Sequence, residues 1–259
     1  MDYLYDESFE GFLCCVYRHY YGERASGIFP AGRYQHSLLN ACETVPTDEG
    51  QAGRVYAALR DRLSRFDPRR IYLVFRSSAP EKEMKLLDYI RLGFKEGPKT
   101  GLLYGNPVVR DVRQAEDRVV REVHRMCGLL RFSEVRPRGA APGHGGAILY
   151  APMEPDHDIT EFLARHFCDR FREEAFIIHD RRRGKALVSA AGRWYMTDFG
   201  DEWALAETGA ETRYRELWRG YFDAVAIKER ANPACQRRFM PLRYWKHITE
   251  TVPYFTSSN

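Results

Sequence analysis

The run between residues 176 and 197 constrains the fold most, because it sets three short apolar segments, residues 176–179, 185–189 and 193–197, around two turns. Asp180-Arg181-Arg182-Arg183-Gly184 and Ala191-Gly192 supply the glycines and polar residues that close hairpins. Segments this short and this close can pair only with their neighbours, so they predict consecutive antiparallel strands. Residues 131–135 and 147–151 read as two more strands around a Gly- and Pro-rich connection at 136–146. The prediction is an α+β fold: an antiparallel sheet of about five or six strands with a dominant set of surrounding helices. A short strand at Tyr3 to Tyr5 is expected to dock on these later strands.

Helical spacing fills most of the remainder. Phe9, Phe12, Leu13, Val16, Tyr17 and Tyr20 recur at i, i+3, i+4 and i+7 behind Asp6 or Ser8 as N-cap. Val55, Leu59, Leu63 and Phe66 follow the start signals Thr47 and Asp48. Met84, Leu87, Ile90 and Phe94 follow Ser78 and Glu81, which stand in capping-box register. The longest stripe runs through Val108, Val112, Ala115, Val119, Val123, Met126 and Leu130. Residues 159–171 predict a further helix and two more close the chain, one through Tyr214 to Val225 and one starting at Pro241. Residues 71–75 fit strand or helix. The whole chain, 1–259, reads as one family domain with a soft boundary near 97–107, between a helical N-terminal part and an α+β C-terminal part.

Composition narrows the classes. With 44% hydrophobic and 29% charged residues, the 259-residue chain has enough apolar surface for a core and is neither disordered nor collagen-like. No apolar run approaches the roughly 18 residues of a membrane span. The acidic start Met1-Asp2-Tyr3-Leu4-Tyr5-Asp6-Glu7 lacks the basic and apolar regions of a secretory signal, so a cytoplasmic protein is expected. Six cysteines without paired spacing imply free thiols, and eight scattered histidines imply no metal site and no bound cofactor. The motifs of phosphate-binding loops, dinucleotide folds, serine hydrolases and zinc proteases are absent.

The residues that could carry chemistry are local conflicts with these patterns. His166 and Arg170 stand at i, i+4 on the stripe of Ile159, Phe162, Leu163 and Phe167, so both are expected to be buried and hydrogen-bonded. His124 falls beside Val120, Val123 and Cys127 on the side of the long helix assigned to the core. His179 and Asp180 are adjacent at a strand end; neighbouring strand residues face opposite ways, so they are not expected to form a hydrogen-bonded dyad. These five residues, His124, His166, Arg170, His179 and Asp180, are the catalytic candidates.

Positive charge is localised. Of 40 basic residues 33 are Arg, the net charge is +4, and the stretch from Arg219 to Lys246 alone carries seven cations against two acids. Arg237, Arg238, Arg243 and Lys246, interleaved with Tyr244 and Trp245, have the composition for phosphate contact and base stacking. Arg181, Arg182 and Arg183 at the hairpin tip form a second set of candidate phosphate ligands. Glu229, on the apolar stripe of its helix, is expected to pair with a buried Arg.

Several separated blocks resemble one bacterial family of unknown function linked to DNA metabolism and DNA repair. They are Tyr5-Asp6-Glu7-Ser8-Phe9-Glu10-Gly11-Phe12-Leu13, His124-Arg125-Met126-Cys127-Gly128-Leu129-Leu130-Arg131-Phe132, His166-Phe167-Cys168-Asp169-Arg170-Phe171, Ile177-Ile178-His179-Asp180, and the block from Ile227 through Glu250. Members of that family are typically encoded beside a radical SAM protein. The resemblance implies a DNA repair or modification accessory protein that binds DNA through its basic C-terminal region and works with a radical SAM partner. This chain cannot itself be that partner, since its cysteines hold no C-x-x-x-C-x-x-C. The alternative is a cofactor-free DNA-processing enzyme, hydrolase- or glycosylase-like, using His124, His166 and His179.

Overall fold

The computed structural model describes residues 1–36, 40–137, 148–200, 205–225 and 232–248. The chain separates into two compact units, Met1–Val120 and Arg121–Asn259, and each is described by itself.

The first unit is built on strand β1 (Asp2–Tyr5), all four of whose residues are buried. It lies between β2 (Gly27–Pro30) and β3 (Cys42–Thr44), parallel to both, in the order β2-β1-β3. The expectation that Tyr3 to Tyr5 would dock on the later strands is therefore corrected. This strand has a sheet of its own, whose flanking strands are too short to show a period of two. Helix α1 (Phe9–Tyr21) forms the crossover from β1 to β2, the connection a parallel pair requires. Ser8 caps α1 by accepting from Gly11 N, and Asp48 caps α2 (Glu49–Arg62) by accepting from Gln51 N at 2.7 Å.

Residues 71–75 resolve as helix, within α3 (Asp67–Phe75), and α4 (Lys82–Glu96) follows. The Ser78/Glu81 capping box does not form. Proline 80 disfavours a helical conformation at Ala79, so the helix starts only at Lys82, with Glu81 at φ 53° as an N-cap that makes no side-chain bond. The core joins Phe12, Leu59, Ile71, Leu86, Leu87 and Ile90 with Val109 and Val112 of α5 (Pro107–Leu129). One buried polar cluster sits in it: Arg70 donates to Tyr89 Oη at 2.8 Å and to Glu116 Oε2 at 2.6 Å, and pairs with the fully buried Asp67. Fixed partners offset the desolvation of these charges.

The second unit holds a six-stranded sheet in the order β8-β7-β6-β5-β4-β9. Its strands are β4 (Ser133–Pro137), β5 (Ile148–Met153), β6 (Phe176–Asp180), β7 (Lys185–Ala190), β8 (Arg193–Asp198) and β9 (Leu205–Glu207). The two hairpins β6–β7 and β7–β8 form as expected. Gly184 at φ 61° and Gly192 at φ 73° supply the left-handed turn positions. The sheet is mixed rather than purely antiparallel, because β5 and β6 run parallel, Leu149 opposite Phe176 through Met153 opposite Asp180. Between them lie a 3-10 turn, Thr160–Leu163, and the short α6 (Ala164–Arg170), which carry the chain back to the starting end. Phe132, Phe167, Phe171 and Phe176 pack ring to ring under this crossover, with centroids 4.8 to 6.2 Å apart. Helices α7 (Gly209–Val225), α8 (Pro233–Phe239) and α9 (Leu242–Trp245) complete the order. No helix among the described residues is long and apolar enough to cross a membrane.

Candidate nucleic-acid interface

The hairpin tip, the loop after β5 and the C-terminal segment are tied together by one chain of charged groups in the second unit. Its root is Glu122 of α5, buried at 2% exposure. The backbone N–H groups of Asp156 and His157 donate to its two carboxylate oxygens at 2.9 and 2.8 Å, and the Tyr244 hydroxyl donates to the first of these oxygens. Burial and the neighbouring Glu122 carboxylate push the Tyr244 phenol upward, so it stays a donor.

From Glu122 the pairing extends outward. Asp156 receives Arg243 at 2.6 Å and lies 3.7 Å from Arg182. Lys246 pairs with Glu154 at 2.6 Å and holds that carboxyl below its ordinary range. His247 Nε2 stands 3.5 Å from the other Glu154 oxygen, and burial lowers its pKa against the pull of that carboxylate. Arg183 donates to Asp180 at 2.7 Å and to the Pro155 and Asp156 carbonyls at 3.2 and 2.6 Å. Burial pushes the Asp180 carboxyl upward, while Arg183 and two backbone N–H groups oppose that shift.

Two sequence-predicted sets, Arg181 to Arg183 and Arg243 to Lys246, are thus brought to one place, around Asp156 and Glu154. Their members differ in role. Arg183 is a strut of the hairpin turn, with all its described bonds inside the protein. Arg182, Arg243 and Lys246 are paired but still substantially exposed, and Arg181 is exposed. Arg237 and Arg238 on α8 are exposed with no ion pair among the described residues. Trp245 is corrected as a stacking platform: it is buried at 8%, and its indole N–H donates to the Met240 carbonyl at 2.8 Å. Glu229 lies outside the described residues, as does most of the 136–146 connection.

The catalytic candidates differ in burial and in partners. His166 and Arg170 are exposed, correcting the expectation that both are buried. The 3-10 turn ahead of α6 winds at three residues per turn, so the buried line runs through Ile159, Thr160, Leu163, Ala164 and Phe167 and leaves both side chains beside it. His166 meets Phe167 edge to face, and Arg170 lies over the Phe171 ring at 5.4 Å. His124 is also exposed. The buried line of α5 passes through Val119, Glu122 and Met126, and a residue two beyond Glu122 falls on the opposite face. His179 is buried and shares a 2.7 Å hydrogen bond between Nδ1 and the Tyr150 hydroxyl. Asp180 makes its bonds to Arg183 instead, in keeping with the expectation that the two form no dyad.

Sequence reasoning missed Glu122, Glu154 and Tyr244 as members of this network. For Glu122 a signal existed, since an acid between Val119 and Met126 on a core stripe needs buried donors. Among the described residues no group of three or more His, Cys, Asp or Glu side chains is arranged to hold a metal ion.

This fold defines a mixed α/β protein with a charge-paired basic surface in its second unit. The family model described as "Domain of unknown function (DUF4130)" matches residues 80–250, about two thirds of the chain, and the chain belongs to that family. No curated protein and no solved structure matches it.

Proposed function

We propose that the chain is a nucleic-acid-binding accessory protein of DNA repair or modification, acting with a radical SAM partner that supplies the cofactor chemistry. The observation that carries this reading is the meeting of the hairpin tip and the C-terminal basic segment around Asp156 and Glu154. Cations remote in sequence share one surface there, and Arg237 and Arg238, exposed and without an ion pair among the described residues, lie on α8 a few residues before Arg243. Guanidinium groups free of carboxylates can grip phosphate oxygens bidentately. Trp245 and Arg183 are left out of the interface, because their polar atoms are already bonded within the protein.

The test is the salt dependence of duplex DNA binding. Each lost phosphate contact flattens the log-log slope by about 0.9, so R237E/R238E should weaken binding and reduce the slope by about two. A folded double mutant with unchanged affinity and slope would remove these residues from the interface. Loss of co-purification with the radical SAM protein, with DNA binding intact, would make the surface a protein contact.

A further inference from the structure

The first unit contains a cleft of about 1080 Å³, formed by α1, α2, α3 and the residues just before α3. Its apolar lining includes Phe9 and Leu13 of α1, Ala52 and Tyr56 of α2, and Pro68 and Tyr72 of α3. The volume reaches the top of the range for small-ligand sites.

The charges around it are sorted by end. Glu10 and Glu49 lie in the first turns of α1 and α2. The two helix starts are tied together, because the Thr47 hydroxyl donates to Asp6 at 2.9 Å, and the start of α2 is also held to the second turn of α1 by Asp48 N donating to Cys14 Sγ at 3.3 Å. Arg60 is three turns further along α2, about 16 Å from Glu49 by helical rise. Arg65 and Arg69 flank the start of α3, whose Tyr72 then reaches the Phe9 ring at 5.0 Å. The cleft is acidic at one end, aromatic along its length and basic at the other.

The basic end holds no carboxylate among the described residues. Arg70, next in sequence to Arg69, is buried against Asp67 and Glu116, and Arg18, Arg33 and Arg91 of the same unit also hold carboxylates. Arg60, Arg65 and Arg69 hold none among the described residues, and all three are exposed at the cleft. Three guanidiniums with no carboxylate partner among the described residues, that of Arg65 resting over the Phe66 ring at 4.7 Å, stand beside the half-exposed Tyr56 ring and match a ligand with phosphates at one end and an aromatic ring at the other.

We propose that this cleft binds single-stranded nucleic acid, taking one unstacked base against Tyr56 with the adjoining phosphates on Arg60, Arg65 and Arg69. The carboxylates of Glu10 and Glu49 repel phosphate, which fixes the direction of entry. They also accept hydrogen bonds from an exocyclic amine, so cytosine is preferred over thymine. The assignment deepens the nucleic-acid reading above and rests on it for the class of ligand. Its residues lie outside the 80–250 family match.

The experiment measures anisotropy of labelled oligodeoxycytidylate and oligothymidylate of about 12 nucleotides on the full chain, with R237E/R238E as the background. Tyr56→Ala should weaken oligodeoxycytidylate binding roughly 5- to 100-fold, and Tyr56→Phe should restore it. R60Q/R65Q/R69Q should reduce the salt slope by about two, at roughly 0.7 per contact on a single strand. Folded variants that bind like their background overturn the proposal. If the wild-type chain binds duplex but no single strand, the cleft assignment falls and the proposed function stands. If it binds neither, both fall.

Discussion

Removing the Glu122 carboxylate is the most informative single change in the second unit. Glu122→Ala strands three donors: the N–H groups of Asp156 and His157, and the Tyr244 hydroxyl. Hydrogen bonds to a charged acceptor contribute about 1.5 to 3 kcal/mol each, but the three share one acceptor group and do not add. The comparable loss of one member of a buried charged cluster costs about 3 to 5 kcal/mol, and that is the value expected. Glu122→Gln keeps the shape but turns one acceptor oxygen into a donor, so it should cost about 1 to 3 kcal/mol. The assay is urea unfolding followed by tryptophan fluorescence. All four tryptophans, Trp194, Trp203, Trp218 and Trp245, belong to the second unit, so the signal reports on that unit alone. With slopes of about 1 to 3 kcal/mol per molar, the Ala variant should lose on the order of 2 M in its midpoint. A double-mutant cycle with Tyr244→Phe should return a coupling of about 1 kcal/mol or more. An unchanged midpoint for Glu122→Ala, or a cycle with no coupling, would refute the network as drawn.

Three further outcomes are expected. Arg183→Ala should cost about 3 to 5 kcal/mol in the same assay, because it leaves Asp180 buried without its cation, whereas the exposed Arg182→Ala should be nearly neutral; equal effects would contradict the division of roles at the hairpin tip. Gly101→Ala should cost about 1 to 3 kcal/mol by circular dichroism, since its Cβ would stand 2.7 Å from Arg70 Nη1 and 3.2 Å from Asp67 Oδ1. Stability should fall on mild acidification. Burial, aided by Arg91 and Arg24, lowers the pKa of His19, whose Nδ1 accepts from Ala25 N, and burial lowers that of His247. The unfolded chain therefore binds more protons below about pH 6.5, and the stability present above that value is lost as pH drops through the folded pKa values. A melting temperature that does not change between about pH 7.5 and pH 5 would count against both assignments.

Elements whose partners lie close in sequence were the legible ones. The strands at 176–179, 185–189 and 193–197 and the helices behind Ser8 and Asp48 carry their pairing or capping partners within a few residues, and all appear where expected. The long stripe from Val108 likewise becomes α5. What escaped was long-range. Nothing in Gly27–Pro30 or Cys42–Thr44 announces a parallel partner for β1, because strands this short show no alternation. The parallel β5–β6 pair depends on where a crossover ends, which local pattern does not record. His166 and Arg170 were misplaced because a single 3-10 turn shifts the phase of every helical residue after it.

The site shows the same division, with a consequence for binding. A stretch with a local excess of five positive charges suggests a free basic face, but Glu122, Glu154 and Asp156 come from elsewhere in the chain to meet it. Pairing set by topology therefore ranks the cations. Arg237 and Arg238 have no carboxylate to leave among the described residues and should contribute about a full unit each to the salt slope. Arg243 and Lys246 hold partly exposed carboxylates, in pairs of the kind worth about 0 to 1 kcal/mol, so a phosphate can compete for them. Arg183 cannot be released, because its withdrawal would leave the fully buried Asp180 without a counter-charge. Neutralising these residues one at a time should give slope losses in that order, with Arg183 contributing none. A slope loss at Arg183 equal to that at Arg237, in a protein that remains folded, would show that pairing does not set the order.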